Sequence, residues 1–68
     1  MVFEIGKYYQ HTCGAKLAIL CELETTQYGK TLIAESDGRD VLRAVGKGKS
    51  YTVNYHEITK EEWMESFS

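Results

Sequence analysis

The 68-residue sequence contains no proline, only two cysteines, no long apolar run and no excess of basic residues. Its longest apolar run, Leu17 to Cys21, has five residues, whereas a membrane-spanning helix needs about 20. Cys13 and Cys21 are too few for a disulfide framework, and their spacing matches no zinc signature. The first residues lack a basic leader followed by an apolar core, which a signal peptide requires. We therefore expect a cytoplasmic protein with reduced cysteines and no membrane segment.

The size and charge of the chain limit its organisation further. Sixty-eight residues predict one domain, residues 1–68, which buries only roughly 60% of its unfolded surface. Small domains without disulfides or a metal are often stabilised by a partner subunit, so we expect a homo-oligomer. A net charge of −2 gives no general attraction to nucleic acid.

Residues 16–24, KLAILCELE, are the most apolar segment and predict the central strand. Apolar and polar positions alternate with a period of two, which is typical of a strand with one buried face. The alternation places Leu17, Ile19, Cys21 and Leu23 together on that face.

Four further strands are predicted from aromatic and β-branched residues between turn signals: residues 6–12, 31–35, 41–45 and 51–58. Gly14 provides the positive φ of a tight hairpin, and Asp37-Gly38 is a strong hairpin signal. The strand at 41–45 is short and expected near an edge of the sheet.

The segment Thr59-Lys60-Glu61-Glu62 has the capping-box pattern at the start of a helix. Ile58 and Trp63 have the spacing of a hydrophobic staple across that cap. We predict a short helix over residues 60–67, with Trp63, Met64 and Phe67 on one side.

Together these elements predict a mainly β fold. It is a five-stranded antiparallel sheet curled into an SH3-like or OB-like partial barrel, with a short C-terminal helix. The helix is expected to cap one open end of the barrel, where Trp63 would supply much of the core volume.

The residues that carry chemistry do not form a catalytic or metal-binding pattern. Four residues offer soft ligands, but a structural zinc site usually draws four from close pairs: His11, Cys13, Cys21 and His56. Cys21 lies among apolar residues, where a thiol is inert, and nothing in the sequence places His56 beside Cys13. We expect a non-enzymatic protein without a metal or cofactor.

Residues 46–50, GKGKS, resemble a phosphate-binding loop only superficially. The spacing of a Walker loop is absent, and a strand is predicted where a helix would have to follow. The segment is either a solvated hairpin loop or part of a small nucleic-acid-binding surface of cations and stacking tyrosines. The residues of that alternative are Arg43, Lys47, Lys49, Tyr51 and Tyr55.

The chain has five tyrosines, a residue common at interfaces because it gives a large contact area at low entropic cost. We predict that ligand or partner contacts come from strand faces that the core does not use. The candidates are Tyr9, His11, Tyr28, Asn54 and His56.

Three stretches carry a family resemblance: GKYYQHTCG (6–14), TTQYGKTLIAE (25–35) and VNYHEITKEEWMESF (53–67). In order and spacing they resemble a group of short phage and prophage accessory proteins with the pattern GKYYxHTTG…TTxYGKxLxAE…NYxEITxEEW. The resemblance transfers no catalytic residue, and Cys13 stands where that pattern tends to have threonine. It implies a small accessory protein in a bacterial cytoplasm that blocks a host factor or sequesters a small signalling molecule, as in counter-defence.

Overall fold

The computed structural model of the chain describes residues 2–37 and 41–67, without the side chain of Lys49. Five strands form one antiparallel sheet in the order β4-β3-β2-β1-β5, and a short helix follows the last strand. The elements are β1 (Tyr8–His11), β2 (Lys16–Thr25), β3 (Gly29–Ser36), β4 (Leu42–Val45), α1 (Lys49–Thr52), β5 (Tyr55–Ile58) and α2 (Lys60–Glu65). The predicted mainly β class is confirmed. No helix in the described ranges has the length and apolar character that a membrane crossing requires.

The sheet is open, because β5 pairs with β1 and leaves β4 and β5 as its two edges. The edge position of β4 agrees with its prediction. β1 and β2 form a hairpin whose turn contains Gly14 at φ 101°, a left-handed conformation that glycine adopts without strain. The Asp37–Asp40 turn that was predicted to join β3 and β4 lies, from Gly38 onward, outside the described residues.

The main core lies on one side of the sheet, which we call the inner face. Its buried members are Phe3, Tyr9, Leu17, Ile19, Leu32 and Ala34. Val45 on one edge strand and Tyr55 on the other pack against the same cluster. Because both edges reach one core, the sheet curls around it as a partial barrel.

Tyr9 was predicted to be free for binding, and that prediction is wrong. Only 1% of its surface is exposed, and its ring contacts Phe3 at a centroid distance of 4.8 Å. The neighbouring Tyr8 lies on the opposite side of the sheet, in register with Ala18 and Ile58.

A β-bulge at Leu20 changes the alternation of the central strand. Ile19 pairs with Ala34 and Cys21 pairs with the adjacent Ile33, so Leu20 is an extra residue without a partner on β3. Beyond the bulge the inner face therefore carries Glu22, which is in register with buried Leu32. The prediction that Cys21 and Leu23 share the face of Leu17 is wrong for this reason, and Leu23 is 53% exposed.

A second, smaller cluster lies on the other side of the sheet, which we call the outer face. It consists of Ala18, Ile58 and Trp63, with Tyr8 packed against them. Trp63 is buried as predicted, but α2 lies on the outer face of β1 and β2 instead of capping an open end of the barrel. Its indole stacks on Tyr8 at a centroid distance of 6.0 Å.

The predicted start of α2 is confirmed in atomic detail. The Thr59 hydroxyl accepts a hydrogen bond from the Glu62 N–H at 3.1 Å, and the Glu62 carboxylate accepts one from the Thr59 N–H at 3.2 Å. Ile58 and Trp63 meet in one cluster, as a hydrophobic staple requires. The helix is shorter than predicted, and Met64 and Phe67 are exposed.

The predicted fifth strand, residues 51–58, is correct only from Tyr55 onward. Residues 49–52 form the helical turn α1, which begins after Gly48 in an extended conformation. Tyr51 and Thr52 favour strands intrinsically, but tertiary contacts override that preference. The turn buries Thr52 and places the Tyr51 ring against Gly46.

Candidate functional site

A cavity of about 460 Å³ lies where β3 extends beyond the end of β4. Its volume is within the range of roughly 300–1,000 Å³ that is usual for small-ligand sites. The lining consists of two tyrosines, two lysines and four smaller residues: Tyr28, Lys30, Thr31, Ala44, Val45, Gly46, Lys47 and Tyr51. We call it the tyrosine–lysine pocket.

The β2–β3 turn places Tyr28 at the pocket. The Thr25 hydroxyl accepts a hydrogen bond from the Tyr28 N–H at 2.9 Å and donates one to the Gly29 carbonyl at 3.1 Å. Gly29 has φ 66°, which lets the chain reverse directly after Tyr28. The backbone N–H of Tyr28 is thus held by a hydrogen bond, although the residue as a whole remains 72% exposed.

Tyr51 reaches the pocket from the segment that follows β4. Its N–H donates to the Gly48 carbonyl at 3.1 Å, and its ring lies so close to Gly46 that a Cβ added there would overlap it. The Tyr51 ring therefore packs directly against Gly46, where a side chain would leave it no room. Tyr51 nevertheless stays 62% exposed.

The charged groups of the pocket are lysines. Lys47 forms a salt bridge with Glu22, which lies outside the lining on β2. The hydrogen bond and charge of Lys47, together with a smaller effect of Lys30, lower the pKa of the Glu22 carboxyl. Both charged residues of the lining are cations, while Glu22 beside Lys47 and Glu24 in register with Lys30 lie outside the lining.

The pocket offers groups for binding, and its threonine hydroxyl is engaged within the protein. The Thr31 hydroxyl donates to the Val45 carbonyl at 3.0 Å and is buried. No histidine, cysteine or acid is among the lining residues. Aromatic faces and ammonium groups can hold a ring and an anion.

The histidines and cysteines lie outside the pocket, and of these residues Cys13 and His11 are joined by a hydrogen bond. The exposed Cys13 donates its backbone N–H to His11 Nδ1 at 3.0 Å in the β1–β2 turn. His56 pairs with Gln10 on the opposite side of the strand from His11. Within residues 2–37 and 41–67, no three His, Cys, Asp or Glu side chains form a group able to hold a metal ion.

The residues predicted to bind a partner do not form one surface. His11 contacts the Tyr55 ring at a centroid distance of 5.0 Å, whereas His56 lies on the other side of β5. Asn54 is exposed before β5, and its carbonyl accepts from the Thr12 N–H at 3.0 Å. Tyr28 lies at the other end of β2 and is the one candidate of this set that reaches the pocket.

The residues predicted for the alternative nucleic-acid-binding surface do not lie together either. Lys47 and Tyr51 meet in the pocket. Tyr55 packs on Phe3 in the core at a centroid distance of 5.1 Å, and Arg43 lies on β4 in register with Ala34. Lys49 belongs to α1, and its side chain is not among the described groups.

Sequence reasoning missed Lys30 and Gly46 as pocket residues. Lys30 stands in a segment interpreted as a turn, and Gly46 stands in the segment 46–50, of which only the lysines were given a possible binding role. The sequence signal that could have pointed to them is the repetition of Tyr, Gly and Lys in Tyr28-Gly29-Lys30 and in residues 46–51, GKGKSY. Only the pairing of β3 with β4 brings the two segments together.

No protein-family model, curated protein sequence or solved structure matches this chain.

Proposed function

We propose that this protein is a non-enzymatic binding module that sequesters a small anionic molecule in the tyrosine–lysine pocket. The proposal includes the setting that the sequence resemblance implies, a phage or prophage accessory protein of counter-defence type in a bacterial cytoplasm. A small signalling molecule of the host fits this reading better than a host protein, because the aromatic and cationic groups converge on a cavity.

The observation that carries the proposal is the meeting of Tyr28 and Tyr51 with Lys30 and Lys47 around one cavity. Both rings are largely exposed although each backbone is held by a hydrogen bond. Exposed aromatic rings on fixed backbone are typical of binding surfaces, since little conformational freedom is lost when they make contact.

The proposal is tested by capture of small molecules. The purified chain is incubated with a metabolite extract of bacterial cells, separated from unbound material and heated, and the released molecules are identified by mass spectrometry. The wild type and His56→Ala, which is altered outside the pocket, should release the same molecule, and Tyr51→Ala should release little of it. Release of nothing by the wild type, or equal release by Tyr51→Ala, contradicts the proposal.

Nucleic-acid binding is the second candidate function, and the presence of both Lys47 and Tyr51 in the pocket favours it. Each phosphate neutralised by a lysine should add roughly 0.7–0.9 to the slope of log affinity against log salt. Absent or salt-independent binding of single-stranded DNA and RNA at low salt rejects this candidate.

We further propose that the chain forms a homo-oligomer. The support is the small size of the domain and the exposure of Leu23 and Leu42 on the part of the outer face that α2 leaves open. Light scattering should give a mass above that of the monomer, and Leu42→Lys should lower it. A monomeric wild type contradicts the proposal.

A further inference from the structure

We infer that the tyrosine–lysine pocket takes a nucleotide, namely a planar base joined to a ribose phosphate. This inference rests on the proposed function and names the ligand class. It requires one group that binds a flat ring and another that binds a phosphate, within the reach of one small molecule.

Tyr28 and Tyr51 supply the ring-binding group. They come from separate segments, the β2–β3 turn and the segment after β4, and both line the same cavity. In the described part of the chain neither ring contacts another aromatic ring. Bases stack on tyrosine rings irrespective of sequence, because every base has a π-face.

Lys30 and Lys47 supply the phosphate-binding group. Lys30 forms no ion pair with the acidic groups of the described residues, whereas Lys47 is held by Glu22. A phosphate carries more negative charge than the single carboxylate that now faces Lys47, so it can compete for that ammonium group.

The size of the cavity fits a single nucleotide. Its volume of about 460 Å³ lies in the lower half of the range of small-ligand sites. Arg43, a cation whose side chain is described, does not continue the site, since it lies on β4 beyond Val45 and is not among the lining residues. A track for several nucleotides would need further cations and rings in line.

Calorimetric titration with adenosine monophosphate, adenosine and ribose 5-phosphate tests the inference directly. Adenosine carries only the ring, and ribose 5-phosphate carries only the sugar and the anion. The monophosphate should bind at least about tenfold more tightly than either fragment, because it uses both binding groups.

Pocket variants with matched controls locate the site. Tyr51→Ala and Lys30→Ala should each weaken binding of the monophosphate by about tenfold. His56→Ala and Lys60→Ala, which alter an exposed ring and an exposed lysine outside the pocket, should bind as the wild type does. Circular dichroism and a thermal melt show whether each variant is folded.

Two further variants probe how the groups are positioned. Gly46→Ala removes no group that touches the ligand, but its Cβ would displace the Tyr51 ring. It should therefore weaken binding about as much as Tyr51→Ala. Glu22→Gln releases Lys47 and should tighten the monophosphate by a few-fold at low salt, with adenosine unchanged.

The results separate failure of this inference from failure of the proposed function. If the extract yields a captured molecule that is not a nucleotide and that Tyr51→Ala loses, the ligand class is wrong and the proposed function stands. If neither the extract nor the monophosphate gives binding, both are wrong. A ten-residue oligothymidylate that binds 100-fold or more tightly than thymidine monophosphate overturns the single-nucleotide inference in favour of nucleic-acid binding.

Discussion

The hydroxyl of Tyr9 accepts a hydrogen bond from the backbone N–H of Glu4 at 2.9 Å. This contact ties the N-terminal segment to the first strand and anchors Phe3 in the inner-face core. Tyr9 is 1% exposed. Its ring packs in the core, and its hydroxyl oxygen holds the preceding segment by a hydrogen bond.

Removal of that oxygen should cost stability without disturbing the core. Tyr9→Phe keeps the ring contacts but leaves the Glu4 N–H without its protein acceptor, so the free energy of unfolding should fall by about 1 kcal/mol. Urea denaturation at pH 7 measures it, and Tyr28→Phe, an exposed tyrosine, is the control. A stability equal to the wild type would contradict a structural role of this hydrogen bond.

The same residue predicts an alkaline loss of stability. Burial raises the pKa of Tyr9 above its ordinary value of 10.0, so the unfolded chain loses this proton at a lower pH than the folded chain. The resulting stabilisation is complete below pH 10.0 and is lost as the pH rises from there through the folded pKa. Over that range the wild type and Tyr28→Phe should lose stability more steeply than Tyr9→Phe; parallel curves would contradict the prediction.

Trp63 should be the side chain of α2 on which stability depends most. It is the buried residue of that helix and joins Ala18 and Ile58 on the outer face. Trp63→Ala should cost about 3–5 kcal/mol, close to the whole stability of a domain of this size. The neighbouring Met64 is 52% exposed, so Met64→Ala should melt within a few degrees of the wild type. A Trp63→Ala variant that melts like its parent would show that packing of α2 contributes little.

The capping box gives a smaller and separable prediction. Thr59→Ala removes the acceptor of the Glu62 N–H and should cost about 1 kcal/mol. Thr59→Ser retains a hydroxyl at the same position and should keep most of that stability. Equal melting temperatures for the two variants would contradict the contribution of the cap.

Features that depend on a few neighbouring residues could be predicted from the sequence. The capping box needs only the types of Thr59 and Glu62, and the β1–β2 turn needs a residue that tolerates positive φ, which Gly14 provides. The strand count followed from the alternation of runs and turns. In each case a local conformational preference agrees with the tertiary structure.

Features set by register could not be predicted. Tyr8 and Tyr9 are adjacent and chemically identical, and pairing with β2 alone decides that Tyr9 is in the core. The pocket depends on the meeting of two loops across the end of the β3–β4 ladder, and no spacing in the sequence encodes it. Intrinsic strand preference at Tyr51 was misleading, because the ring packs against Gly46 from a helical turn and the preference takes no account of that contact.

The bulge leads to a prediction about a deletion. Since Leu20 has no partner on β3, a chain without Leu20 can pair Ile19 with Ala34 and Cys21 with Ile33 as the wild type does. A bulged strand has one residue more than its partner, so removal of the extra residue restores the simple alternation of side chains between the two faces. The variant should fold with Glu22 still opposite Leu32, which cross-strand nuclear Overhauser effects between these two residues would verify.

A deletion on the facing strand should behave differently, although it also removes one apolar residue. Without Ile33, Leu32 would become the neighbour of Ala34 and would turn to the outer face, because adjacent strand residues point to opposite sides. Leu32 is buried in the inner-face core, and loss of such a contact costs about 2–5 kcal/mol. Thermal melts of the two variants compare them directly. If deletion of Leu20 proves as harmful as deletion of Ile33, then Leu20 is required for the curl of the sheet and is more than an extra residue.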